Sequence, residues 1–255
     1  MIVVFLGSSL AVAEARGIVD AVYLGPAVQG SVVLAVERFR PSAILLIDGG
    51  FQSEPAVRHK ELLWALSLGI GVSGAASMGA LRAAELCHHG MEGTGLIYRW
   101  YRRYRCAPDD AVAVLHGPPE LNGVALTRSL IDLRMTFRAA QRQGLIDPPL
   151  RQRLELAAAQ LHFADRTIAQ VMARALPPRT QSGREANLGL VRLLEEAFIS
   201  QKAADARQAL HLLRTPRPGP PPREFTLTRA FVRDLQDAGI DPGILVRCAA
   251  PKSFS

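Results

Sequence analysis

Gly69-Ile70-Gly71-Val72-Ser73-Gly74-Ala75-Ala76-Ser77-Met78-Gly79-Ala80-Leu81-Arg82-Ala83-Ala84-Glu85-Leu86 is the stretch that decides how this chain folds. A short apolar run with glycines precedes Ser77, small residues crowd around it, and an alanine-rich helix pattern follows. Strand, tight turn with Ser-x-Gly, then helix is the layout of a nucleophile elbow, where a sharp backbone turn leaves the serine hydroxyl exposed. Small residues at 74, 75, 76, 79 and 80 permit that turn. The amides of Met78 and Gly79 would face an oxygen developing negative charge, helped by the helix N-terminus. The elbow pattern has glycine where Ala75 stands, and an ordinary N-cap serine would give the same local sequence.

Elements of the same kind recur on the N-terminal side. Ile2–Leu6, Ala21–Leu24, Ala43–Ile47 and Ile70–Ser73 read as short buried strands. Helices are expected at about Leu10–Arg16, Val32–Phe39, Ala56–Leu68 and Met78–His88. Strands alternating with helices imply an α/β fold, a mainly parallel sheet core with flanking helices. Sites in such sheets gather beyond the carboxyl ends of the strands. Gly7-Ser8-Ser9, Asp48 and Ser77 all fall there. Asp48 could hold Lys60 or position a water, or simply form the turn before Gly49-Gly50. Arg82, just over one helical turn past Ser77, could hold an anionic substrate group or pair with Glu85.

Lys60 is the second candidate for chemistry. The chain has 30 basic residues, of which only Lys60, Lys202 and Lys252 are lysine. Lys202 and Lys252 lie in polar or tail-like sequence. Lys60 falls in a predicted helix with Ser53 as cap and Pro55 in the first turn. At helical spacing it shares a face with Ala56, Val57, Leu63 and Trp64, while Arg58, Glu61 and Ala65 point elsewhere. An amine on an apolar face is desolvated and can act as a base near neutral pH, which a guanidinium cannot. The same spacing fits a lysine laying its stem across apolar surface. With no histidine triad near Ser77, a Ser77–Lys60 pair, in which neutral lysine activates the serine, is the sharper hypothesis. His59 is expected to face away from Lys60.

At 255 residues with 49% apolar content, the chain can bury a full core. No stretch is long enough to span a membrane, and the apolar start breaks at Gly7-Ser8-Ser9 with no basic residue before it, so a cytoplasmic protein is expected. Cys87, Cys106 and Cys248 have no ligand-like spacing, which argues against disulfides and metal clusters. Cys87 as a persulfide carrier competes with a small packed thiol. Residues 1–121 are expected to form the α/β core with the site and 122–213 an α-helical region of three or more helices. The Pro-rich stretch 214–223 reads as a stiff linker, and 224–255 as a last helix, about Thr228 to Ala238, plus tail. The net charge of +7 and the interleaved Tyr98-Arg99-Trp100-Tyr101-Arg102-Arg103-Tyr104-Arg105 raise nucleic-acid binding as a rival class. Basic surface equally suits an acidic protein or leader peptide, and docking of that kind is favoured.

Several segments together resemble the TfuA-like proteins. They are Ile47-Asp48-Gly49-Gly50-Phe51, Pro55 through Leu63, Gly74 through Leu86, Gly90 through Ile97 and Asp109 through His116, with a fainter echo at Leu133-Arg134-Met135-Thr136-Phe137. Departures occur where Gly7-Ser8-Ser9-Leu10 replaces the family's Gly-Pro-Thr-Leu, Gly25-Pro26-Ala27 replaces Pro-Pro-Ala, and Ser31 stands where an acid is usual. The resemblance implies a partner of a YcaO enzyme in backbone thioamidation of ribosomal peptides. It would hydrolyse the C-terminal thiocarboxylate of a ubiquitin-like sulfur carrier and release sulfide. Carried over, the family's Ser–Lys pair is Ser77 and Lys60, and the implied partners are the YcaO enzyme, the carrier and a precursor peptide, with no cofactor. The alternative is a non-catalytic adaptor that docks peptide onto the YcaO enzyme.

Overall fold

The structure, a computed structural model, describes residues 1–51, 54–117, 124–178, 180–215 and 220–249. The expected Ser53 cap, the expected core boundary at 121, the middle of the Pro-rich stretch and the end of the tail lie outside them. The described chain divides into two compact units, one formed by Met1–Arg105 with the chain from Asp205 onward, the other by Cys106–Ala204.

The first unit is built on a parallel sheet of five strands: β1 Ile2–Phe5, β2 Val22–Leu24, β3 Ala43–Leu46, β4 Gly71–Ala75 and β5 Glu92–Thr94. Their spatial order is β2-β1-β3-β4-β5. Val3, Val4, Ile44, Leu45 and Leu46 are wholly buried, as in a sheet covered on both faces. The helices between strands are α1 Val12–Ile18, α2 Ser31–Phe39, α3 His59–Ser67 and α4 Met78–Leu86, and α5 Gly95–Arg103 follows β5. The chain leaves β1 for β2 on one side and returns to β3 on the other. The strand order therefore reverses between β1 and β3, and it is beyond the carboxyl ends of strands at such a switch point that sheets of this kind place ligands. The first four strands and the α/β class follow the sequence expectation. The short β5 has no counterpart in the sequence pattern, because Glu92-Gly93-Thr94 carries no apolar alternation.

The start of α3 departs from the expectation. α3 starts at His59 rather than Ala56, because Ala56 forms a bridge with Val28 and Pro55 accepts a bond from Gln29 N. Its buried face also differs: Glu61 is 1% exposed, while Lys60 is half-buried. The Glu61 carboxylate accepts the amides of Gly30 (2.8 Å), Arg58 (3.0 Å) and Val32 (3.2 Å), closing the starts of both α2 and α3. Burial pushes its acid upward in pKa, and the backbone donors oppose that shift.

From Asp205 the chain completes the same unit. The Asp205 carboxylate accepts the amides of Leu96 (3.0 Å) and Ile97 (2.8 Å), capping α5. Beyond it come α11 Arg229–Asp237 and α12 Ile244–Ala249. The Thr228 hydroxyl caps α11 by accepting from Phe231 N, and Gly239 follows with φ 71°, matching the helix expected there.

The second unit is helical, as expected: α6 Leu130–Arg142, α7 Pro148–Gln160, α8 Ile168–Ala175 and α9 Gln181–Glu196. α10, Gln201–Leu213, begins in this unit and ends in the first. Ser129, Asp147, Thr167 and Thr180 each cap the helix that follows. Arg166 is 1% exposed and donates to the carbonyls of Ala158, Asp110 and Leu161 and to the Asp110 carboxylate. Lys202 corrects the expectation of polar surroundings. It is 4% exposed and donates to the Val112 carbonyl at 3.1 Å. Among the described residues, no helix is long and apolar enough to cross a membrane.

Candidate active site

Three loops meet at the carboxyl edge of β1, β3 and β4. The first is Gly7–Ser9, held by Asp48: the carboxylate accepts Gly7 N (2.8 Å), Ser9 N (3.1 Å) and the Ser9 hydroxyl (2.6 Å). Asp48 is 1% exposed. It serves as an internal clamp on the β1 loop, and among the described residues it makes no bond to Lys60. The second loop, Asp48–Gly50, is tied to Ala27, whose amide donates to the Asp48 carbonyl and whose carbonyl accepts from Gly50 N, both at 2.9 Å. A β-carbon on Gly49 would stand 2.8 Å from Met78 Cγ, so glycine lets this loop lie against the third.

That third loop carries Ser77. Ala76 has φ 65°, a left-handed conformation that costs a non-glycine residue about 1–2 kcal/mol. Ser77 follows with φ −116° and ψ −125° as the N-cap of α4, yet its side chain makes no cap bond. The strained residue of the turn is thus Ala76, one before the serine. Among the described residues no fully buried side-chain oxygen lacks a partner, so the uncapped Ser77 hydroxyl keeps a path to solvent although the residue is 7% exposed. Close packing explains the small residues. A β-carbon on Gly79 would run into the Leu46 carbonyl, and one on Gly74 into the Gly79 carbonyl.

The two expected oxyanion donors part company here. Gly79 N donates to the Ile47 carbonyl at 3.1 Å, so that amide is committed to the end of β3. Met78, the first residue of α4, has no intrahelical acceptor for its N–H. Arg82 lies on α4 and is tied to the lead-in of α3: Nε donates to the Val57 carbonyl (3.2 Å) and Nη1 to Glu85 (2.7 Å). His59 Nε2 lies 2.8 Å from the same Glu85 oxygen. Burial would raise Glu85, but the bonds to His59 and Arg82 outweigh it and hold the carboxyl below its usual range.

This network ties α4 to the lead-in and first residue of α3, next to Lys60 in the chain. Residues 48–167 match the family model described as TfuA-like protein. This stretch is a TfuA-like domain. No curated protein matches the chain. Asp48, Lys60, Ser77, Met78, Gly79 and Arg82 all lie within the TfuA-like stretch, whereas the Gly7–Ser9 loop precedes it. Lys60 Nζ stands 5.4 Å from the Phe225 ring centroid, and among the described residues it makes no hydrogen bond to Ser77. Phe225, Glu61 and the His59–Glu85 pair were not singled out from sequence. Glu61 follows the Lys60 position by one residue and could have been found by testing which helix register buries an acid. Phe225 carried no signal. Among the described residues, no three His, Cys, Asp or Glu side chains cluster as a metal site would require.

Proposed function

We propose that the protein is a sulfur-supplying hydrolase that acts beside a YcaO enzyme in peptide backbone thioamidation. Its substrate is the C-terminal thiocarboxylate of a small ubiquitin-like carrier. Ser77 Oγ attacks the thiocarboxylate carbon as its proton passes to Lys60 Nζ. The oxyanion of the tetrahedral intermediate forms beside the Met78 amide at the N-terminus of α4. Collapse breaks the C–S bond and expels sulfide, which takes the proton from Lys60. Water, deprotonated by the same amine, then attacks the acyl-serine; its ester bond breaks, Ser77 Oγ takes the proton back from Lys60, and the carrier leaves as a carboxylate. Arg82 acts in this reading as a tether between α3 and α4, and Asp48 as the clamp of the β1 loop.

The observation that carries the reading is the uncapped Ser77 hydroxyl after the strained Ala76, at the carboxyl edge of a parallel sheet. Strained non-glycine residues held by their surroundings cluster at active sites. Membership of residues 48–167 in the TfuA-like family supports a YcaO-associated context. The test is sulfide release from a thiocarboxylated carrier. Ser77→Ala should abolish it with an unchanged far-UV spectrum, because one oxygen is lost from a site where it makes no cap bond. Release at the wild-type rate would remove Ser77 from the mechanism.

A further inference from the structure

The start of α3 is gripped by residues from the far end of the chain. Phe225 places its ring under the Lys60 amine, 5.4 Å from Nζ to the centroid. Phe225 meets Phe231 edge-on at 5.8 Å, and Phe231 is wholly buried in α11. On that helix Asp234 pairs with Arg58, the N-cap of α3, at 3.7 Å, and its carbonyl accepts from the Gln29 side chain. The C-terminal segment thus touches α3 at Arg58 and at Lys60. It lies outside the TfuA-like stretch, which ends at residue 167.

We infer that Phe225 is the positioning residue for Lys60, the third member of the Ser77–Lys60 pair; this rests on the hydrolase reading above. A nucleophile–base pair needs a third group that orients the base and favours the charge it acquires. In the first step the Ser77 O–H bond breaks and its electron pair forms the bond to the thiocarboxylate carbon. The proton forms a new N–H bond on Lys60, which becomes an ammonium ion. The face of an aromatic ring attracts a cation, so Phe225 stabilises the lysine most in the state reached during attack. Among the described residues no carboxylate pairs with Lys60 to do this instead. Phe225 needs no contact with substrate.

The experiment compares Phe225→Leu, which keeps apolar bulk without a π face, with Phe225→Tyr and Phe225→Trp, which keep the face. With the thiocarboxylated carrier, kcat should fall about two- to thirtyfold in the leucine variant, with KM unchanged, and return in the aromatic variants. A leucine variant with wild-type kcat, or aromatic variants as slow as leucine, would overturn the inference. The contact is read separately by NMR after lysine-selective labelling, which the small number of lysines makes easy to assign. The ε-methylene of Lys60 should be shifted by the ring in the wild type and move toward its free position only in the leucine variant. A Lys60 signal indifferent to Phe225→Leu would overturn the inference even in an active enzyme. A wild type that releases no sulfide would instead defeat the hydrolase reading, and with it the role given to Phe225.

Discussion

The Arg82 guanidinium donates to the Val57 carbonyl at 3.2 Å, joining the helix that Ser77 opens to the lead-in of the helix that carries Lys60. Glu85 reinforces the joint by accepting from the same guanidinium and by lying 2.8 Å from His59. On the other flank Glu61 ties α3 to the start of α2. Lys60 therefore projects from a helix start that is anchored on both sides, although the residue itself is only half-buried.

Arg82→Ala should separate the two helices. Losing a charged donor to a carbonyl costs about 1.5–3 kcal/mol when the acceptor stays dry. The expected outcome is a lower unfolding free energy in urea together with a lower kcat for sulfide release. Arg82→Lys should recover part of the stability but not the paired contact to both Val57 and Glu85, because an ammonium lacks the planar fork. Full activity in Arg82→Ala would show that the joint is dispensable.

Lys60→Arg keeps a positive charge but cannot accept a proton. Activity should fall by about 10² to 10⁴, the usual worth of a positioned base. Lys60→Met should fall as far, with little change in melting temperature, since the side chain is half-buried and bonded to nothing that needs it for folding. If Lys60→Arg releases sulfide at the wild-type rate, the lysine is an electrostatic or packing residue.

Glu61 and Glu85 should give opposite pH dependences of stability. Burial raises Glu61, so the folded state binds its proton more tightly than the unfolded chain does. Its contribution is present below the ordinary value of 4.5 and is lost as pH rises through the raised folded value. Glu85 is held low, so its contribution is present above 4.5 and is lost as pH falls through the lowered folded value. Measured against Glu61→Gln, the wild type should lose relative stability as pH climbs. Measured against Glu85→Gln, it should lose relative stability as pH falls. Thermal melts of the three proteins between pH 3 and 8 check both signs, and parallel curves would refute them.

A fragment ending near Leu121 should not fold as an independent core. It would lack Asp205, which caps α5, and Phe231 and Leu235, which are wholly buried on α11. It would also lack the Cys248 and Arg247 carbonyls that accept from Arg40. Circular dichroism and limited proteolysis should show a disordered or aggregating product. A cooperative melt near that of the full chain would mean that the C-terminal segment only decorates the unit.

Sequence alone determined four of the five strands, because buried parallel strands are continuous apolar runs such as Ala43–Leu46 and Ile2–Phe5, while β5 and the strand order came from the tertiary structure. It also picked out Ser77, since only a crowded turn needs small residues at 74, 75, 76, 79 and 80. Helix register was less legible. Apolar spacing along α3 counts Glu61 as outward, whereas three backbone amides from two helix starts draw that carboxylate into the interior. Local periodicity holds no record of donors that arrive from Gly30 and Val32. The commitment of the Gly79 amide to Ile47, the clamp from Asp48 to Ser9 and the Phe225 ring under Lys60 are of the same kind. Each joins residues far apart in the chain, and their partnership depends on where the packed sheet and the returning C-terminal segment bring them together.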